Sequence, residues 1–177
     1  MATQTLSELM VEELKDLYSA ETQLLAVLPK MAKKANSPQL QEAFTNHLKE
    51  TEGQLKRLQK IAKLLNEDLG GKKCKAMEGL IKEGSEALEA TGPEAVVDSG
   101  LIGASRRVEH YEIAAYCSTR AMAVALGNDE IADLLEETFN EEEAADGKLK
   151  SLGEDEIFPE AAQNDTEENM VESSSSK

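Results

Sequence analysis

Apolar residues recur at helical spacing along four long stretches of the chain, and nowhere do apolar and polar residues alternate as they would in a strand. Leu6, Met10, Leu14, Leu17, Leu24, Leu28 and Met31 mark a first helix over about 5–34, and Pro29 is expected to kink it. Asn36-Ser37-Pro38 is a turn, with Ser37 placed to cap the next helix and Pro38 at its first position. That second helix runs to about Leu65 on a stripe through Leu40, Phe44, Leu48, Leu55 and Leu58. A shorter helix is expected over Cys74 to Ala90, closed by Thr91-Gly92-Pro93. The remaining long helices are expected from Pro93 to Leu126 and from Asp129 to about Leu152, separated by Gly127-Asn128.

Two short turns make two antiparallel hairpins, and a longer connection carrying one short helix joins them. A simple up-and-down bundle needs no such connection, whereas a ferritin-like bundle has one long crossover. The predicted fold is therefore all-α: a ferritin-like four-helix bundle with a short extra helix in the crossover. The bundle is expected over 1–153. Residues 154–177 hold eight acids against one Lys and end in a run of serines, so they are read as an acidic disordered tail.

The net charge of −16 argues against non-specific binding to nucleic acid or to an anionic membrane surface. The chain has no apolar run of transmembrane length, and its first residues carry acids where a signal peptide carries bases. A cytoplasmic protein is expected. Cys74 and Cys117 are too few for a disulfide framework, and Cys117, among small residues, is expected to be a buried packing thiol.

The informative residues interrupt the apolar stripes. Glu21, Glu112 and Glu142 fall on inward positions, and Glu50 lies at the edge of one. Glu21 lies 15 residues before position 36 and Glu50 lies 14 after it; Glu112 lies 15 before position 127 and Glu142 lies 15 after it. Equal rise per residue sets each pair level, so the four carboxylates are expected to converge at mid-bundle. One turn deeper come Glu109, Asp146 and Gln54, and His47 lies one turn from Glu50 on the same side of its helix. Like charges buried together need protons or cations. An oxygen-rich set with one imidazole suits iron or manganese better than zinc. The candidate metal ligands are thus Glu21, Glu50, Glu109, Glu112, Glu142 and Asp146, with His47 and Gln54 as weaker candidates. Tyr18 and Tyr116, one turn from Glu21 and Glu112, are candidates to hydrogen-bond ligand carboxylates.

The segments LKDLYSAETQLL (14–25), AFTNHLKETEGQLKRL (43–58), KCKAMEGLI (73–81), RVEHYEIAAY (107–116) and LLEETFNEEEAADGKL (134–149) resemble the YciE/YciF family of ferritin-like bacterial proteins. The resemblance spans about residues 5–153, and VEHYEIAAY is its most specific part. It implies a five-helix ferritin-like domain, a homodimer, a carboxylate-bridged dinuclear metal site related to that of rubrerythrin, and a link to stress responses. Glu21 and Glu50 would be the glutamates of the first two bundle helices, Glu109 and Glu112 the E-x-x-E of the third, and Glu142 the glutamate of the last. Where the di-iron pattern places His three residues after Glu in two helices, this chain has Gly53 and Ala145, with Gln54 and Asp146 one position further on.

Two functions follow. One is a stress-response protein with a dinuclear iron or manganese site that reacts with oxygen or peroxide. The other is a non-catalytic helical stress protein that acts through protein–protein contacts and keeps a relict carboxylate cluster. No phosphate loop, nucleotide fingerprint or nucleophile elbow is present.

Overall fold

The computed structural model describes residues 3–163. Among them every regular element is helical. The helices are α1 (Leu6–Leu24), α2 (Leu28–Lys34), α3 (Pro38–Leu65), α4 (Lys75–Glu89), α5 (Glu94–Ala125) and α6 (Asp129–Leu152). Helices α1, α3, α5 and α6 form the bundle, and α4 packs on α5 within the crossover. Among the described residues no helix is long and apolar enough to cross a membrane.

Local chemistry sets the ends of the elements. Thr5 and Glu8 make a reciprocal capping box at the start of α1, each backbone N–H bonding the other's side chain at 3.1 Å. Ser37 caps α3 with Pro38 in its first turn, as the sequence predicts. The single kinked helix expected over 5–34 is instead two helices with a turn between them. Pro29 has no N–H to offer the carbonyl four residues back, so the ladder stops near Leu25 and restarts as α2.

The structure also carries helix beyond position 153. Gly153–Ile157 form a π-turn, and helix continues over 158–163. The π-turn swings Ile157 into the core beside Leu149 and Leu152. The Phe158 ring packs over Gly153, where a Cβ would lie 2.7 Å from it and would push the ring aside. The rest of the predicted tail, 164–177, lies outside the described residues.

The core has two apolar halves. One gathers Leu24, Leu28, Met31, Phe44, Leu101 and Leu152 around the α2–α3 turn. The other gathers Met10, Leu14, Ile61, Ala123, Ile131 and Leu135 around the α5–α6 turn. The two hairpin turns thus lie at opposite ends of the bundle. Full burial of one such Leu or Ile contributes roughly 1.5–3 kcal/mol, so each half is a substantial anchor. Asp98, buried near the start of α5, accepts hydrogen bonds from the backbone N–H of Asn36 (2.9 Å) and Ser37 (2.7 Å), which locks the first turn onto the second hairpin. Between the apolar halves lies a layer of buried polar side chains.

Candidate metal centre

All four bundle helices contribute to that layer. Helix α1 brings Glu21, α3 brings His47, Thr51 and Gln54, α5 brings Glu109 and Glu112, and α6 brings Thr138 and Glu142. Each lies on an inward stripe that runs into apolar core towards both ends of the bundle, so burial of those apolar residues carries it inside as well.

One ligand-type atom from each of His47, Glu109, Glu112 and Glu142 lies within 4.8 Å of the others. His47 Nε2 is 3.4 Å from Glu109 Oε1 and 3.8 Å from Glu142 Oε2, while its Nδ1 is 3.5 Å from Glu50 Oε2. Glu21 stands beside this group. Its Oε1 accepts a 2.5 Å hydrogen bond from the Tyr116 hydroxyl. Gln54 donates from Nε2 to Glu142 Oε1 and, at 3.1 Å, to Glu141 Oε2. Arg57 holds Glu141 through both carboxylate oxygens and also bonds Glu137 and Thr138, which fixes α6 against α3 just outside the layer.

Many polar atoms here are buried without a hydrogen-bond partner: both oxygens of Glu112, both nitrogens of His47, and one oxygen each of Glu21, Gln54, Glu109 and Glu142. Each such orphan carries a desolvation cost of roughly 1–3 kcal/mol. Their convergence fits a bound cation, since the lone pairs that lack donors are those a metal accepts. The donor set of carboxylates and one imidazole is of the hard, oxygen-rich type.

The electrostatics agree. Burial raises Glu21 to about 8, with the neighbouring Glu142 adding to the effect and the Tyr116 hydrogen bond opposing it. Burial likewise raises Glu109 to about 8. Glu112 and Glu142 are raised well above the carboxylate range, first by burial and then by the other glutamates. Burial acts against protonating His47, but Glu50, Glu142 and Glu21 outweigh it, so the ring titrates above the ordinary histidine value.

The structure brings Glu21, Glu109, Glu112, Glu142, His47 and Gln54 into one layer and leaves two candidates outside it. Glu50 sits at the rim with 44% of its side chain exposed and meets the layer through His47. Asp146 accepts from Arg106 Nε at 2.7 Å and Nη2 at 3.2 Å, with His110 Nε2 3.5 Å away. That ion pair across α5 and α6 engages the carboxylate that helical spacing alone aligns with Glu142. Of the two tyrosines, Tyr116 bonds a carboxylate of the layer, while Tyr18 packs against the apolar half instead. Cys117, expected to be buried, is exposed; Cys74 is the buried thiol, capping α4 and lying 3.0 Å from the Tyr111 hydroxyl, which donates to Asp16. Sequence reasoning missed the brace made by Arg57, Glu141 and Thr138. Thr138 and Glu141 lie three apart on α6, but only the α3–α6 contact makes Arg57 their partner.

A family model described as a domain of unknown function, DUF892, matches residues 5–162. The chain belongs to the DUF892 family. Among relatives of this DUF892 chain is Protein YciF of Escherichia coli K12, 42% identical over 153 residues, which cover 86% of this chain and 92% of YciF. The crystal structure of that E. coli stress protein superposes with a TM-score of 0.82 over 85% of this chain and 95% of its own. YcfI of Rhodopseudomonas palustris, provisionally described as a structural protein, matches at 39% identity and TM-score 0.81, covering 84% of this chain and 94% of its own. The YciE/YciF resemblance and the all-α bundle expected from the sequence both hold.

Proposed function

We propose that this protein is a ferritin-like stress-response protein whose buried layer holds a dinuclear iron or manganese centre that meets oxygen or peroxide. The carrying observation is the convergence of unpartnered, buried carboxylate and imidazole atoms on one point. His47, Glu109, Glu112 and Glu142 would hold one ion, and Glu21, with its unpartnered Oε2, would join Glu112 at a second. Such ions supply Lewis acidity and electron transfer to a bound oxidant.

The chain's own residues provide the rest. Tyr116 keeps its proton, because burial and the nearby Glu21 raise its pKa well above the phenol range, and it orients Glu21. Gln54 orients Glu142 through its amide, and Arg57 anchors Glu141 beside it. The apolar halves above and below exclude water, which strengthens electrostatic interactions inside. The stress role rests on the description of the E. coli relative. We extend the proposal to a homodimer in the cytoplasm, and light scattering tests the dimer.

A second reading is a non-catalytic structural protein with a relict cluster, favoured by the description of YcfI and by Asp146 being held by Arg106. Metal analysis of protein purified without chelators separates the two. Two equivalents of iron or manganese per chain support the dinuclear centre; none after reconstitution supports the relict.

A further inference from the structure

The layer is reached from one side by a groove of about 310 Å³ between α3 and α6, lined by Glu42, His47, Glu50, Glu109, Ala144 and Lys148 among others. His47 and Glu109 belong at once to this groove and to the buried cluster. Exposure falls stepwise along one path: 44% for the Glu50 side chain, 7% for His47, 3% for Glu109 and 0% for Glu142. Each step is short. Glu50 is 3.5 Å from one nitrogen of His47, and the other nitrogen is 3.4 Å from Glu109 and 3.8 Å from Glu142. Both imidazole nitrogens lack a hydrogen-bond partner, although the ring is more than nine-tenths buried.

We propose that Glu50 and His47 form a loading relay for hydrated divalent cations, in which Glu50 is a transit ligand and no part of the resident centre. The inference rests on the metal-centre reading above and adds the route. A cation stripped of all its water at once faces a large desolvation cost. Spacings under 4 Å let it exchange waters for ligands singly, held first by Glu50, then by His47, with Glu109 and Glu142 joining His47 as Glu50 lets go. The imidazole spans the path as it stands, with one nitrogen facing Glu50 at the rim and the other facing Glu109 and Glu142 at the centre. Glu42 adds attraction at the mouth, and Lys148 on the opposite wall opposes cation approach. Glu50 therefore matters for the rate rather than for the final affinity.

The test is stopped-flow absorption with Co(II) as the probe, on metal-free full-length protein. A transit ligand lowers the barrier in both directions. Glu50→Gln should slow association and dissociation by the same factor, about tenfold or more, and leave the equilibrium constant unchanged. Ala144→Trp, which narrows the groove without touching the layer, should slow both rates likewise. Glu143→Gln, an exposed acid on α6, corrects for the lost surface charge and should change neither. Faster dissociation with weaker affinity in Glu50→Gln would make Glu50 a resident ligand and overturn the relay. Unchanged rates in both groove variants would place the route elsewhere and also overturn it. Wild-type protein that takes up no Co(II) overturns the metal-centre reading itself, and the relay with it.

Discussion

The hydroxyl of Tyr116 donates a 2.5 Å hydrogen bond to Glu21 Oε1, joining residues 95 positions apart on α5 and α1. Both residues are fully buried, so the bond works where water cannot replace it. It satisfies one oxygen of Glu21 and leaves the other for whatever occupies the layer.

Tyr116→Phe should therefore destabilise the metal-free protein by about 1–3 kcal/mol, the cost of leaving a buried carboxylate oxygen without a donor. Urea unfolding at constant slope reads this as a lower midpoint. An unchanged midpoint would mean that the bond contributes nothing.

The raised carboxyls make a pH prediction with a definite sign. A group whose folded pKa lies above its unfolded value stabilises fully below the unfolded value and loses that contribution as pH rises through the folded one. Glu21 and Glu109 move from about 4.5 in the unfolded chain to about 8 in the fold, and His47 is also raised. Carboxylates with lowered values, such as Asp146 beside Arg106, remain ionised throughout this range and add no slope. Metal-free protein should melt at a lower temperature at pH 8 than at pH 6. With saturating Mn(II) the trend should reverse, because protons compete with the ion for the same oxygens. Calorimetry at the two pH values checks both slopes.

The cysteines differ in access. Cys117 is exposed, whereas Cys74 is buried and its thiol is held above its ordinary range, by burial first and by Asp16 next. A thiol reagent should modify one cysteine rapidly in native protein and both in denaturant. Cys117→Ser should remove the fast phase; its persistence would contradict this arrangement.

The bundle was legible because helical spacing, Ser37-Pro38 and Gly127 are local signals. The level of Glu21, Glu112 and Glu142 was legible too, since rise per residue is fixed and the turns are sharp. What escaped depended on neighbours distant in sequence. Asp146 has the spacing of a ligand, yet Arg106 on the facing helix holds it. His47 ranks low from its own helix alone, but the contact of α3 with α5 and α6 puts it between Glu109 and Glu142. Ile157 enters the core only because a π-turn at Gly153 re-aims the chain, which a pattern of period 3.6 cannot foresee.

The central claim is that Glu112, with both carboxylate oxygens buried and unpartnered, is placed for a cation. The most direct measurement is the melting temperature of wild type and Glu112→Gln with and without Mn(II). At a hundredfold excess over the dissociation constant, binding to the folded state adds about 2.7 kcal/mol. For a chain of this size that is a rise of roughly 5–10 °C. Wild type should show the rise, Glu143→Gln should keep it, and Glu112→Gln should lose it while gaining stability without metal. Equal melting temperatures for wild type with and without millimolar Mn(II) or Fe(II) would contradict the account and leave the layer a relict.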